Sequence, residues 1–99
     1  MPGASQDPSE LKLVATLIKT RDALAAMIAE LTAFQVKREL SLTEEHWLRD
    51  GRKAHGKIVN RYLPELRAAK PAADRAAEIA MDVAKLDYKL PLGKYRSKG

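Results

Sequence analysis

Apolar residues recur at intervals of three and four along most of this chain, and polar positions fill the gaps. From Leu11 to about Leu40 one stripe is formed by Leu13, Leu17, Leu24, Ile28 and Leu31, widened by Val14, Ile18, Ala25 and Val36. That spacing predicts an amphipathic helix, and no Gly or Pro interrupts it. About thirty residues at ~1.5 Å rise each make a rod of ~45 Å. Two short helices rarely cover such a rod, so a helical hairpin or a homodimer seam along helix one is expected. Leu17, Leu24 and Leu31 are heptad-spaced, with Met27 and Phe34 three residues after the second and third of them. Arg21 and Gln35 fall inside the apolar arc. An arginine there is expected to reach the helix edge and pair with a carboxylate of another helix. Either Ser9 or Asp7 can cap the start, and Asp7 would place Pro8 at the favoured first helical position.

The pattern breaks at Ser41-Leu42-Thr43-Glu44. Ser41 with Glu44 matches a capping box, Thr43 is an alternative cap, and Glu44 and Glu45 suit the positive end of a helix dipole. A second helix is predicted from about Glu44 to Leu63. At 100° per residue, Trp47, Leu48, Gly51, Ala54, His55, Ile58, Val59, Tyr62 and Leu66 gather on one side. Arg49, Arg52, Lys53, Lys57 and Arg61 gather on the other, with His46 and Asn60. Gly51 would admit a neighbouring helix closely, or mark a turn with Asp50. Gly56, on the basic side, has no packing reason; it would permit close backbone approach to a phosphate or a helix break. Pro64 should end or kink the helix, and Glu65 to Lys70 offers one further turn. Pro71 suits the start of a third helix running to about Leu90, with Ala76, Ile79, Ala80, Val83, Leu86 and Leu90 as its stripe. On its polar side Glu78 and Asp82 can pair with Arg75 and Lys85. The expected fold is all-α, a three-helix bundle or an extended helical hairpin with a long first helix. Residues 1–8 read as a flexible leader, 9–90 as a single helical domain and 91–99 as a basic mobile tail.

Charge sharpens this picture. Eighteen basic and thirteen acidic residues leave a net +5. Residues 1–43 are balanced, 44–70 carry +3 and 71–99 carry +2. The positive field therefore belongs to helix two and the tail, and it attracts nucleic acid or acidic protein without choosing between them. The chain has no cysteine, which removes disulfides, thiolate metal sites and thiol nucleophiles. No apolar run approaches the ~20 residues of a membrane span. A soluble, cytoplasmic protein with no membrane partner is expected.

The chemistry these residues support is binding. Five cations on helix two, joined by Lys94, Arg96 and Lys98, can contact phosphates or carboxylates, and Tyr95 among them can stack on a base. Trp47 and Tyr62 would serve as anchors for a protein partner if they sit at an exposed edge. His46 and His55 are nine residues apart and lie on different sides of one helix, so they cannot share a metal ion. No phosphate loop and no nucleophile elbow is present. No catalytic, cofactor or metal residue is assigned.

The first helix, TRDALAAMIAELTAFQVKREL, resembles the long arginine-bearing helix of the all-helical chorismate mutases. That resemblance implies an enzyme in which Arg21, Arg38, Arg49 and Arg61 converge on a dicarboxylate. It covers helix one only: Tyr62 follows Arg61 where that family carries an Arg-Glu pair, and helix three has no glutamine near its end. The expected function is therefore non-enzymatic. The chain reads as a small binding, adaptor or regulatory protein that offers a basic helix face to an acidic macromolecule. A protein–protein inhibitor or a subunit of a larger complex is the alternative.

Overall fold

The computed structural model describes residues 8–68 and 73–96. Helix α1 spans Pro8–Lys37 and is followed by α2 over Leu42–Lys57. A π-helical turn, Ile58–Tyr62, then leads directly into α3, Leu63–Ala68. Helix α4 spans Ala73–Lys89, and a short 3-10 helix covers Leu92–Lys94. The described residues are all helical or in turns, and α1 touches every other helical element. The overall extents are 56 × 26 × 20 Å, so the long first helix sets the shape.

The buried positions explain why these helices share one core. On α1 they are Leu17, Thr20, Ala23, Leu24, Met27 and Leu31. On α2 and its π turn they are Leu48, Gly51, Ile58 and Tyr62, and on α4 they are Ile79 and Val83, with Leu90 just beyond. Alternating steps of three and four give a seam of period near 3.5, the pattern of left-handed helical bundles. The heptad-like leucines of α1 are thus consumed inside their own chain, and no seam for a second copy remains on them. Ala25 and Val36, expected to widen the stripe, are exposed, Val36 at 85%. Arg21 reaches the edge as expected, but its carboxylate is Asp22 of the same helix, at 3.0 Å.

Helix α1 opens at Pro8, the start that a cap at Asp7 would require; Asp7 itself lies outside the described residues. The start of α2 is the expected capping box. Ser41 Oγ accepts from the Glu44 amide at 3.1 Å, and the Glu44 carboxylate accepts from the Ser41 amide at 2.9 Å. Arg38, one residue past α1, donates two nitrogens to the same carboxylate, both at 2.9 Å. One side chain therefore caps α2 and ties it to the end of α1. The two Arg38 bonds, then the Ser41 amide, hold the Glu44 carboxyl down at about 2, from an ordinary 4.5. A carboxyl lowered by folding stabilises fully above its unfolded value and loses that contribution as pH falls toward its folded one. The thermal midpoint followed by circular dichroism should fall between pH 4.5 and about 2, and Glu44→Gln should flatten that part of the profile.

Helix two does not break at Asp50-Gly51, nor does it stop at Pro64. Gly51 is buried against Met27, Ile28 and Leu24 of α1, so its missing side chain serves close packing within a continuous helix. Pro64 is accommodated by the π turn. In an α-helix its ring would meet the carbonyl of Asn60 and its missing N–H would orphan that oxygen. The Leu63 amide instead donates to Ile58 O, five residues back, which widens the turn. The extra residue rotates the succeeding turns about the helix axis. Leu63 and Leu66 are buried while Val59, expected on the packing side, is 38% exposed.

The chain beyond Leu90 stays on the bundle. Leu92 is fully buried, its amide donates to Leu90 O at 2.8 Å, and the Tyr95 amide donates to Leu92 O at 2.9 Å. The buried cluster thus reaches Leu92, two residues past the expected domain edge. Residues 1–7, where most of the expected leader falls, and Pro71 lie outside the described residues.

Candidate binding groove

Helices α2 and α4 both pack on α1 and leave a cleft of about 460 Å³ between them. Its apolar lining is Ala54, Ile58, Val83 and Leu86, with Ile58 and Val83 buried. Lys53 and Lys57 of α2 and Lys85 and Lys89 of α4 also line it. The spacing explains this: each pair stands one turn apart, immediately beside the residues that face α1. All four lysines are exposed, and none forms an ion pair within 4.0 Å among the described residues.

Two aspartates share the lining, and each already has a partner. Asp50 accepts from Arg49 at 3.4 Å. Asp82 accepts from the Tyr62 hydroxyl at 2.5 Å. Burial, and then the bond to Asp82, pushes the Tyr62 phenol up to about 12. Behind it, Arg75 lies 5.7 Å from the Tyr62 ring centre, donates to both oxygens of Glu65 at 2.6 and 3.1 Å, and reaches Glu78 at 3.2 Å. These bonds raise Arg75 further, and Arg75 in turn lowers Glu65. The cluster fastens α3 to α4 at the Tyr62 end of the groove. What remains free in the cleft is apolar surface under four cations.

The residues singled out from sequence separate into groups. Arg52, Lys53, Lys57 and Arg61 are exposed on one side of the second helix and form no ion pair among the described residues. Arg49 is engaged, with Asp50 and with His46 Nδ1, to which it donates at 2.7 Å. Tyr62 is 4% exposed, so it is a wall of the core and not a rim anchor; the expectation of an exposed edge fails because it lies in the middle of the packing side, within the buried cluster. Trp47 is half-buried against the core cluster. Near the C-terminal end, Tyr95 donates to Glu30 of α1, and burial with that bond pushes its phenol up to about 12. Lys94 stands 4.0 Å from Glu30, and Arg96 pairs with Asp87. These three side chains face the chain's own carboxylates, and Lys98 lies outside the described residues.

Lys85 and Lys89 were not candidates from sequence. The i,i+3 spacing suggests Asp82 as a partner for Lys85, but the tertiary structure gives Asp82 to Tyr62. Their one-turn spacing beside the apolar stripe was the available signal. The four arginines of the mutase resemblance do not meet. Arg21, Arg38 and Arg49 each hold a separate carboxylate, Asp22, Glu44 and Asp50. The cleft between α2 and α4 contains none of the four, and a second, shallow cleft beside Gln35 and Leu40 contains only Arg49. Among the described residues, no group of three or more His, Asp or Glu is placed to hold a metal ion, and no helix is long and apolar enough to cross a membrane. No protein-family model matches the chain, and neither a curated protein nor a solved structure is significantly similar to it.

Proposed function

We propose that this chain is a binding module whose groove between α2 and α4 receives an acidic amphipathic helix of a partner protein. The observation that carries this reading is the pairing of an apolar floor with lysines on both walls. A helix laid in a groove buries residues spaced at three and four against the floor, and its flanking carboxylates meet the walls. Nucleic acid would use the cations but leave the floor without a role, because phosphates gain nothing from Ile58, Val83 and Leu86. Arg52 and Arg61 extend the positive field beyond the groove and would speed encounter with an acidic partner.

The test is fluorescence anisotropy with three labelled probes: a glutamate-rich amphipathic helical peptide, the same composition scrambled to remove the apolar stripe, and an oligonucleotide. The amphipathic peptide should bind tightest. Lys53→Glu with Lys57→Glu should weaken it by about tenfold or more, roughly 1.4 kcal/mol or above. Equal binding of the scrambled peptide would remove the groove from the explanation. Tighter binding of the oligonucleotide would transfer the basic face to nucleic acid. No binding of any probe would end the reading.

A further inference from the structure

The outward face of α4 is apolar, and none of the described residues covers it. Ala77, Met81, Ala84 and Tyr88 recur at steps of four, three and four, so they lie in one line opposite the buried Ile79 and Val83. All four are exposed, Met81 at 61% and Tyr88 at 90%. Two large residues of this kind on one surface line are a mark of an interaction site.

The order of residues along the line identifies the occupant. An antiparallel copy of α4 related by a two-fold axis would set Tyr88 over the partner's Ala77 and Met81 over the partner's Ala84. Each large side chain then meets a small one, and the same contacts recur on both sides of the axis, as a closed two-fold interface requires. Charge points the same way. One flank of the line carries Asp74 and Glu78 in the N-terminal half of α4, and Lys85 and Lys89 in the C-terminal half. In antiparallel two-fold packing a flank faces its own copy reversed. Asp74 and Glu78 therefore meet the partner's Lys89 and Lys85, and the reverse pairs form as well. In parallel two-fold packing this flank would face the partner's other flank, and these paired charges would not meet. The other flank holds Asp87, which pairs with its own Arg96; on the first flank Glu78 also bonds its own Arg75 at 3.2 Å but is exposed and keeps a carboxylate oxygen for the partner's lysine.

We propose that the chain forms a homodimer through the outer face of α4, antiparallel and two-fold, with Tyr88 over Ala77 and Lys85 against Glu78. The dimer does not depend on the groove reading, although Lys85 and Lys89 stand at the border of both surfaces. Analytical ultracentrifugation of the full chain over a range of concentrations tests it. A monomer–dimer equilibrium is expected. Tyr88→Glu with Met81→Glu should abolish it while circular dichroism remains helical, since neither residue is buried. Glu78→Lys alone and Lys85→Glu alone should each weaken association about tenfold, and the two together should restore it. A monomer at every concentration overturns the proposal. So does a dimer that survives Tyr88→Glu with Met81→Glu, or charge variants without mutual rescue. Lys53→Glu with Lys57→Glu, which removes groove lysines alone, should leave dimerisation unchanged, so failure of one surface is separable from failure of the other.

Discussion

Replacing Leu92 with alanine should lower the free energy of unfolding by about 2–5 kcal/mol, the range for emptying a fully buried leucine site. Leu92 is 0% exposed and belongs to the same buried cluster as Leu17, Leu24 and Ile79. It sits beyond the end of α4, past Pro91, in a stretch whose composition is that of a loose basic tail. Its place is held by two local backbone bonds, Leu92 to Leu90 and Tyr95 to Leu92, and by Tyr95 donating to Glu30. A leucine in a free tail would cost nothing to remove. Urea denaturation separates the two cases: Leu92→Ala should lower the unfolding free energy by that amount, while Lys94→Ala, an exposed neighbour, should change it by no more than about 0.5 kcal/mol. A null result at Leu92 would detach the last segment from the core.

The second large effect is expected at Gly51. A Cβ built there would lie 2.5 Å from Met27 Cε, with Ile28 and Leu24 at 3.7 and 3.9 Å. The Met27 terminus is flexible, but Met27 and Leu24 are fully buried and Ile28 is partly buried against them. Gly51→Ala therefore combines a helix-propensity gain of about 1 kcal/mol with a forced shift of Met27, and should come out small in either direction. Gly51→Val adds two methyl groups and loses the simple escape. It should destabilise by about 1–3 kcal/mol or more through overpacking, and Met27→Ala in the same chain should recover part of that loss. Gly56 is the matched control. The nearest atom to a Cβ there is Asn60 Nδ2 at 3.9 Å, an ordinary contact, so Gly56→Ala should stabilise the free protein by about 1 kcal/mol. If that variant also lost partner binding, Gly56 would mark a place where the partner approaches the backbone.

The helices were legible because their determinants are local. The run from Leu11 onward, the Ser41–Glu44 box and the stripe from Ala76 to Leu90 each depend on residues three and four apart, and each appears as a helix or its cap. For Pro64 the sequence leaves an end or a kink with a further turn open, and the structure takes the second. Whether a proline stops a helix depends on what the continuing turn can bury, and here Leu63 and Leu66 repay the widened turn with core contacts. On the candidate site the two-faced wheel places Tyr62 on the packing side, where the structure has it, and misplaces only Val59, which is 38% exposed.

What the sequence alone determines about this protein is its helical elements, their caps and the basic side of the second helix, because hydrogen bonds and side-chain neighbours within a helix are only a few residues away. Only the tertiary structure decides that Lys53 and Lys57 share a groove with Lys85 and Lys89, that Asp82 belongs to Tyr62 and that Leu92 is core. Those contacts join residues 20 or more positions apart and depend on how α1 orients the helices packed against it, so no periodicity along the chain could specify them.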